Sequence, residues 1–167
     1  INVGGTQKIL DYCHKVGANL IYISAFAYDS AARGPSVEES RIDPSSPYNH
    51  SKWLGEELCR FYMEKFKVRC PILRPFNGYG AGQRSAFLIP EIIRQVESDS
   101  DAIQLGDLSP VRDYLYIEDL MMLIARVVTS QTQGMVFNAG TGKGHSVKEV
   151  VRIVQSIWRT DKLVQHS

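Results

Sequence analysis

The sequence predicts an α/β domain built around a parallel sheet, and two observations lead to this fold class. Short apolar stretches alternate with segments of helical periodicity, a pattern typical of strands joined by helices. Two of the apolar stretches, ANLIYIS and VRCPILRPF, end in or beside the polar residues Ser24 and Asn77. Ligands of such sheets bind beyond the carboxyl ends of the strands, so we expect a site at these two positions.

The helices are marked by periodicity and by residues that begin or end them. Gly17 is a stop signal, Pro47 stands where a first helical turn would begin, and Ser146 with Glu149 has the spacing of a capping box. Helices are predicted over residues 5–17, 47–66, 89–98, 117–130 and 146–158. The fourth has an apolar stripe made by Ile117, Leu120, Met121, Ile124 and Val128.

The remaining segments are predicted as strands and loops. Buried strands are expected over residues 18–24, 68–76 and 135–140, with shorter strands around a turn within 102–117. Residues 27–46 are rich in Pro, Gly and Ser and are interpreted as a long loop, which in a compact domain is commonly functional or disordered. The glycine-rich residues 77–84 predict another loop.

Composition excludes several classes of protein. The chain has 167 residues, enough for roughly one domain, with 44% hydrophobic and 22% charged residues. A formal net charge of +1 gives no reason to expect binding to nucleic acid. No apolar run approaches the roughly 20 residues that a membrane span needs. The three cysteines are far apart without a C-x-x-C pair, so we expect neither a metal site nor disulfides.

Two glycine runs could be mistaken for phosphate-binding loops, and both fail the required spacing. The third glycine of G-x-G-x-x-G is replaced by Gln83 after Gly78 and Gly80, and by His145 in the run that begins at Gly140. GTGKGHS is not a P-loop because a glycine follows its lysine. We predict turns in both runs, and the sequence therefore contains no fingerprint for the phosphates of a nucleotide.

Tyr48 and Lys52 lie four residues apart in SPYNHSKWLGEE, on one face of the second predicted helix. Tyrosine is a weak base with a pKa of about 10, and a nearby ammonium group lowers that value by favouring the phenolate. Such a pair could take a proton from a sugar hydroxyl as hydride leaves the carbon, while Ser24 bonds the same oxygen. Two common residues at this spacing more often form an exposed pair, so the motif alone leaves both interpretations open.

Segments along nearly the whole chain resemble, in order, the extended short-chain dehydrogenases/reductases that act as NAD-dependent nucleotide-sugar epimerases and dehydratases. NVGGT resembles the family's helix with an active-site Asn, and IYISAFAY its strand ending in a catalytic Ser or Thr. SPYNHSK resembles the catalytic Tyr-x-x-x-Lys, LRPFNGYGAGQ the R-x-F-N-x-Y-G-P-G-Q loop, and VRDYLYIEDL the R-D-F-x-Y-V-x-D segment. FNAGTGKGHSVKEVV extends the match almost to the C-terminus. No single segment is specific, but their occurrence in the same order as in the family makes the whole set specific.

The resemblance implies a partial Rossmann-type, doubly wound parallel sheet with a small substrate-binding region. Residues 1–75 would be the C-terminal half of the NAD-binding domain. Residues 76–167 would be mainly the substrate-binding region, with 113–138 returning to the Rossmann sheet. The family's first strand, glycine-rich turn and ribose-binding acid have no counterpart here, and the chain begins in a helical pattern without Met. We therefore expect a fragment that does not turn over substrate alone.

The resemblance also assigns catalytic roles. Tyr48 would be the acid/base, and Lys52 would lower its pKa and hold the nicotinamide ribose, so both would also contact the cofactor. Ser24 would bind the reacting hydroxyl or carbonyl, and Asn2 would support the hydrogen-bond network of the site. The alternatives are that Asn2 only caps its helix and that Ser24 is a turn residue at a strand end.

Four further residues are assigned to cofactor or substrate. Pro75 and Phe76 would lie near the nicotinamide, Asn77 would contact the diphosphate region of the substrate, and Arg112 would pair with the diphosphate, which suits a guanidinium group. Asn77 could instead only shape its loop. Arg112 could form a surface ion pair with a neighbouring acid, Asp113 or Glu118, of which we interpret Asp113 as structural.

Departures from the family pattern narrow the function. Relatives that carry out 4,6-dehydration have Thr-Asp-Glu where this chain has Ser24, Ala25 and Phe26, and neither of the last two can carry a proton. A 4-epimerase acting through a 4-keto intermediate is therefore favoured. The alternatives are a 4-ketoreductase, a 4,6-dehydratase or a non-catalytic relative that binds nucleotide sugar. Phe87 stands where many relatives have a polar residue near the phosphates, which leaves the nucleotide and sugar open.

The expected cofactor is NAD, with NADP as the alternative, and the expected ligand is a nucleotide-diphosphate sugar. In relatives the first and second of the helices predicted here pair across a dimer, so we expect a homodimer of the intact protein. Reduced cysteines and the substrate class indicate the cytoplasm.

Overall fold

The computed structural model describes residues 2–26, 28, 34–130 and 135–166. In chain order its elements are α1 (Asn2–Val16), β1 (Tyr22–Ile23), α2 (Pro47–Phe66), β2 (Ile72–Pro75), β3 (Asn77–Tyr79), α3 (Leu88–Glu97), β4 (Ala102–Leu105), β5 (Val111–Tyr116), α4 (Ile117–Thr129), β6 (Val136–Ala139), β7 (Gly144–Ser146), α5 (Val147–Trp158) and β8 (Leu163–His166). The chain divides into two compact units, the first formed by Ile1–Phe76 with Glu118–Gly140 and the second by Asn77–Ile117 with Thr141–Ser167.

The first unit contains a parallel three-stranded sheet in the order β1-β2-β6. Helices α1 and α2 pack against each other. They enclose a core made by Leu10, Cys13, Tyr22, Cys59, Tyr62, Val68, Cys70 and Ile72. Helix α2 connects β1 to its parallel neighbour β2, and its residues Lys52 and Glu56 bond to residues 23 and 24 at the end of β1.

Local sequence fixes the ends of helices α1 and α2. Gly17 follows α1 in the left-handed region at φ 69°, a conformation that glycine adopts without strain. The side chain of Ser46 accepts a hydrogen bond from Asn49 N at 3.1 Å, and Pro47 occupies the first turn of α2. Lys67 ends α2 with a φ of 59°. The predicted start and end of α2 are confirmed.

The second unit has a mixed sheet and a two-stranded sheet. In the first of these, β3 pairs with β5 in parallel and β5 pairs with β7 antiparallel, while β4 and β8 pair in parallel. Helices α3 and α5 surround a core made by Ile92, Val96, Ile103, Val150, Val151 and Val154. Ser146 and Glu149 form the predicted capping box at the start of α5.

Some predictions from the sequence are wrong. Residues 77–79 and 144–146 form strands β3 and β7, where glycines had predicted a loop and turns. Strand β1 covers only two residues of the predicted 18–24. Helix α4 forms as predicted, but three members of its apolar stripe are exposed: Ile117, Met121 and Val128. The predicted loop over 27–46 lies partly outside the described residues.

Two further observations concern membrane-spanning helices and the cysteines. Within the described residues, no helix combines the length and the apolar character needed to cross a bilayer. Cys13, Cys59 and Cys70 are free thiols buried in the core of the first unit. Burial raises the pKa of the Cys13 thiol, so it stays protonated and behaves as a small apolar side chain.

Candidate active site

Ser24 lies directly after β1, where the backbone continues the ladder to β2. Its N–H donates to the carbonyl of Leu73 at 2.7 Å, which fixes the residue beside the neighbouring strand. The side chain is buried, and Oγ donates to Oε1 of Glu56 on α2 at 2.6 Å. The serine hydroxyl is therefore held by a helix residue as well as by the strand.

Glu56 forms a buried ion pair with Arg74 on β2. Arg74 Nε donates to Oε1 at 2.9 Å and Nη2 donates to Oε2 at 2.7 Å, a bidentate geometry. Burial alone would raise the pKa of Glu56, but hydrogen bonds from Arg74 and Ser24 outweigh it and hold that pKa below its ordinary value. The carboxylate is therefore ionised at neutral pH.

Tyr28 extends this network beyond the ion pair. Arg74 Nη1 donates to the hydroxyl of Tyr28 at 2.8 Å, and that hydroxyl donates to Oδ1 of Asn138. Burial is the main reason that the pKa of Tyr28 is raised, so the phenol keeps its proton as a donor. The side chains of three sheet-associated segments are thus joined to the helix that carries Tyr48 and Lys52.

Lys52 anchors α2 at the residue before Ser24. Its Nζ donates to the carbonyl of Ile23 at 2.7 Å and lies 5.2 Å from the centroid of the Tyr22 ring. Burial lowers the pKa of Lys52 from its ordinary value. An ammonium group has three N–H donors, and Ile23 takes one, so Lys52 retains donors for the hydroxyl groups of a ligand.

Tyr22 adds a second bond between the strand and this turn of the helix. Its hydroxyl donates to the backbone carbonyl of Lys52 at 3.2 Å. Burial is the main cause that raises the pKa of Tyr22 to about 12, so the hydroxyl stays protonated and remains a donor. The position of Lys52 is therefore fixed from both its backbone and its side chain.

Tyr48 stands one turn before Lys52, and its side chain is 57% exposed. Ser51 Oγ donates to the backbone carbonyl of Tyr48 at 2.7 Å, and Asn2 Nδ2 donates to that same Ser51 Oγ at 2.8 Å. The backbone carbonyl of Asn2 accepts from Thr6 Oγ1 at 2.7 Å. Asn2 thus contacts α2 between the two residues of the Tyr-x-x-x-Lys motif.

Pro75 and Phe76 close the carboxyl end of β2. Pro75 pairs in register with Ala139, and Phe76 N donates to the carbonyl of Ala139 at 3.0 Å. The Phe76 ring lies 5.1 Å from the ring of Phe26, centroid to centroid. Because Ser24 is bonded to Leu73 on the same strand, these residues share one edge of the sheet with Ser24.

Asn77 and Arg112 belong to the second unit and line a cavity of about 240 Å³ together with Phe87, Pro110 and Tyr114. Asn77 Nδ2 donates to the backbone carbonyl of Asp113 at 3.3 Å. Arg112 is exposed, and its Nη1 donates to the carbonyl of its neighbour Val111 at 2.8 Å. A guanidinium group on the wall of a cavity suits an anionic ligand.

Asp113 has the structural role that the sequence predicts. Its Oδ1 accepts from Thr141 N at 3.0 Å and Thr141 Oγ1 at 2.8 Å, and its Oδ2 accepts from Gly142 N at 2.8 Å. The carboxylate therefore holds the turn that precedes β7.

The structure brings Ser24, Lys52, Pro75 and Phe76 to one edge of the first sheet, with Tyr48 and Asn2 on the adjoining helices. Asn77 and Arg112 share the cavity of the second unit. The functional interpretation of the sequence missed Glu56. Its spacing of four residues after Lys52 continues the helix face that begins at Tyr48, and that signal could have identified it.

Most of the chain is similar to a known protein family and to known proteins. The model of the NAD dependent epimerase/dehydratase family matches residues 1–140. The chain is 28% identical over 167 residues to a GDP-6-deoxy-D-mannose reductase of Pseudomonas aeruginosa, covering 94% of this chain and 55% of the relative. It is 32% identical over 155 residues to a dTDP-glucose 4,6-dehydratase of Streptomyces griseus, covering 92% of this chain and 47% of the relative.

A solved structure has the same fold as this chain. The UDP-glucuronic acid 4-epimerase of Bacillus cereus, in complex with UDP-glucuronic acid and NAD, superimposes with a TM-score of 0.89 at 27% identity, over 99% of this chain and 54% of that one. The predicted Rossmann-type α/β fold is confirmed. The chain spans about half the length of the relatives it matches.

Proposed function

This chain belongs to the NAD dependent epimerase/dehydratase family, and we propose from that premise that the protein containing it is a nucleotide-sugar 4-epimerase acting through a 4-keto intermediate. The observation that carries the proposal is the double attachment of α2 to the end of β1. Lys52 Nζ bonds Ile23, and Glu56 bonds Ser24, the next residue. The ammonium group of Lys52 and the hydroxyl of Ser24 thereby lie at the carboxyl end of a parallel strand, which supports an active site there.

In this mechanism the chain's residues handle protons and orient the sugar. Tyr48 takes the proton of the sugar 4-hydroxyl, and Lys52 stands one turn further along the same helix face. Ser24 bonds the reacting oxygen and fixes the position of C4. NAD, held by Lys52, Pro75 and Phe76, would supply the hydride chemistry at C4 through which the sugar is oxidised to the ketone and reduced again from its opposite face. Tyr48 then gives the proton back to the oxygen.

The residues at the sheet edge fit the nicotinamide half of this cofactor. Lys52 is half-buried beside the backbone and retains N–H donors, which suits the hydroxyls of a ribose. Pro75 and Phe76 provide an apolar surface at the end of β2. The sequence contains no glycine fingerprint for the cofactor's phosphates, so we assign only the nicotinamide ribose and ring to these residues.

The residues after Ser24 argue for epimerisation over 4,6-dehydration. Ala25 has no titratable group, and the Phe26 ring packs edge-on against Tyr28 at 5.4 Å and beside Phe76 at 5.1 Å. Proton transfer at C5 and C6 would need an acid and a base, which these side chains do not supply. A 4-ketoreductase is the second candidate, because a reductase is among the relatives and reduction needs the same proton donor.

We assign the nucleotide diphosphate to the cavity of the second unit. The Arg112 guanidinium would pair with a phosphate, and Asn77 would donate to an oxygen of the diphosphate region. Phe87 contributes an apolar wall there and is 54% exposed.

We also propose a homodimer formed through α1 and α2. The three free thiols and this substrate class lead us to propose a cytoplasmic enzyme.

A product analysis in D₂O tests the proposal with the gene product that contains residues 1–167. Incubated with NAD and UDP-, dTDP- or GDP-hexoses, a 4-epimerase yields the 4-epimer with no deuterium at C4, because the same hydride leaves and returns. A 4,6-dehydratase would yield a 4-keto-6-deoxy sugar with deuterium at C5, and a reductase would consume NADPH with a 4-keto sugar. Formation of the 4-keto-6-deoxy sugar, or net consumption of NADPH with a 4-keto sugar, would refute epimerisation.

Tyr48→Phe separates a catalyst from a protein that only binds nucleotide sugar. Loss of the acid/base is expected to lower turnover by about 10²–10⁴-fold while the affinity for nucleotide sugar is kept. An unchanged turnover rate in Tyr48→Phe would show that Tyr48 is not the acid/base.

A further inference from the structure

His145 on β7 stands directly opposite Arg112 on β5. The two strands run antiparallel, and these two residues pair in register. Opposite residues of an antiparallel pair project from the same face of the sheet, with Cβ atoms about 4.5–5.5 Å apart. The imidazole of His145 and the guanidinium group of Arg112 therefore leave one face of the sheet as neighbours.

That face of the sheet contributes to the cavity of the second unit. Arg112 lines the cavity, and so do Pro110 and Val147. The pairing of the strands continues to the last two residues, because Val147 N donates to the carbonyl of Pro110 at 3.1 Å. Alternate residues of a strand share a face, so these three occupy three corners of a four-residue patch. His145 is the fourth corner, at the edge of the lined surface.

The acid beside His145 is already engaged by other donors. Oε2 of Glu149 accepts from Ser146 N and from Ser146 Oγ, both at 2.7 Å. These bonds are the main cause of the lowered pKa of Glu149, to which the nearby His145 and Arg152 also contribute. Within the part of the chain that the structure describes, the His145 ring forms no hydrogen bond or ion pair. A ring N–H of His145 is therefore left for a ligand.

We propose that His145 is a second phosphate-binding residue, whose imidazole donates to one phosphate of a nucleotide diphosphate while Arg112 pairs with the other. Two phosphates joined through one bridging oxygen suit two donors that stand side by side on neighbouring strands. The inference rests on the proposed function, which assigns the diphosphate to this cavity. It deepens that function by giving the site a reason to prefer a diphosphate to a monophosphate.

The first experiment is calorimetry on the gene product that contains residues 1–167, with NAD present. UDP, dTDP and GDP identify the preferred base. A hydrogen bond to a charged oxygen is strong enough that His145→Leu should weaken this diphosphate about tenfold or more. His145→Arg keeps a cationic donor and should largely retain the affinity. His14→Leu is the matched control, because that ring packs against Phe66 in the first unit, and it should leave the affinity unchanged.

The monophosphate of the same base tests whether the two residues hold different phosphates. Its single phosphate can meet only one of the two donors. Arg112→Met and His145→Leu should each weaken the diphosphate, whereas only one of these substitutions should weaken the monophosphate. A monophosphate weakened by both, or by neither, would overturn the division of the phosphates between the two residues.

A second experiment needs no nucleotide. In NMR titrations of the same protein with inorganic pyrophosphate, the ring signals of His145 should shift and those of His14 should not. The shift should be smaller with inorganic phosphate and should be reduced in Arg112→Met. A His145 ring that does not respond to pyrophosphate would overturn the proposal.

These outcomes distinguish the inference from its premise. If His145→Leu binds the diphosphate as tightly as the wild type while Arg112→Met does not, the role of His145 is refuted and the cavity keeps its assignment. If no nucleotide binds but pyrophosphate shifts the His145 ring, the nucleotide-sugar function has failed and the phosphate site stands. If His145→Leu does not fold, the ring signals of wild-type His145 still decide.

Discussion

Glu56 on α2 and Arg74 on β2 form a bidentate ion pair in which both side chains are 2% exposed. Arg74 also donates to Tyr28 and to the backbone carbonyl of Glu38. Two charges removed from water in this way depend on each other, because either one alone would be buried without compensation. The pair joins the helix that carries Tyr48 to the strand that ends at Pro75.

Removing one partner of this pair is expected to be strongly destabilising. Arg74→Met leaves the Glu56 carboxylate buried beside Arg60, and the free energy of unfolding should fall by about 3–5 kcal/mol. Urea unfolding followed by circular dichroism measures the change. The matched control is Arg94→Met, which breaks a surface pair with Glu91 and should change stability little because solvent screens that pair. Similar effects of the two substitutions would contradict a stabilising role for the buried pair.

The lowered pKa of Glu56 makes stability depend on pH with a definite sign. Unfolded Glu56 has an ordinary pKa of about 4.3, and the folded value is lower, so the unfolded chain binds this proton more tightly. Its contribution is fully present above the unfolded pKa and is lost as pH falls through the folded one. Urea unfolding between about pH 6 and pH 3 should show stability falling with acid. The fall should be shallower in Glu56→Gln.

A carboxylate outside the core provides the control for this titration. The pKa of Glu91 is also lowered, mainly by its bond to Arg94, but the pair lies at the surface, where solvent screens the interaction. Glu91→Gln should leave the pH dependence of unfolding nearly unchanged. A Glu56→Gln profile as steep as those of the wild type and Glu91→Gln would show that Glu56 is not the group responsible.

Local signals in the sequence predicted the helices well. Pro47 and the capping box of Ser146 with Glu149 act within a few residues, so the element ends that they fix do not depend on the rest of the fold. The glycines around Gly78 and Gly144 predict a loop and turns, but these segments form strands β3 and β7. Both segments pair with β5 through backbone atoms, and such pairing is set by distant chain segments and not by local propensity.

The network around Glu56 could not be predicted from residue spacing alone. Glu56 and Arg74 are 18 positions apart, and Tyr28 and Asn138 are 110 apart. They meet because the crossover through α2 and the register of β2 with β6 bring them together. The Tyr48–Lys52 spacing was visible, but its roles came from resemblance, and the catalytic assignments stay predictions.

The exposed apolar residues of α1 and α2 predict association. Tyr12 on α1 is 64% exposed and Phe61 on α2 is 48% exposed, and the two helices pack side by side. If they form the proposed homodimer, Phe61→Glu should shift the protein toward monomer, as measured by sedimentation equilibrium, because a charge would be buried at the interface. Ile157→Glu on α5, at a residue 65% exposed, is the control. A monomeric wild type would refute the dimer.

Gly55 tests whether α2 approaches β1 as closely as the site requires. In an open helix, Gly→Ala stabilises by about 1 kcal/mol. A Cβ at Gly55 would instead meet the Tyr22 hydroxyl and lie 2.6 Å from Tyr22 Cζ. Gly55→Ala should therefore destabilise the chain by about 1–3 kcal/mol. Gly4→Ala on α1, where nothing lies within 4 Å, should be stabilising.

The same substitution in a Tyr22→Phe background distinguishes this contact from a general intolerance of side chains at that position. Removing the hydroxyl takes away the atom nearest to the added Cβ, although the rest of the ring still crowds it. The cost of Gly55→Ala should therefore be smaller in Tyr22→Phe, with a coupling in the double-mutant cycle of about 0.5–3 kcal/mol. Additive effects would mean that Tyr22 does not limit the approach. The close packing of Lys52 and Glu56 against residues 23 and 24 would then need another explanation.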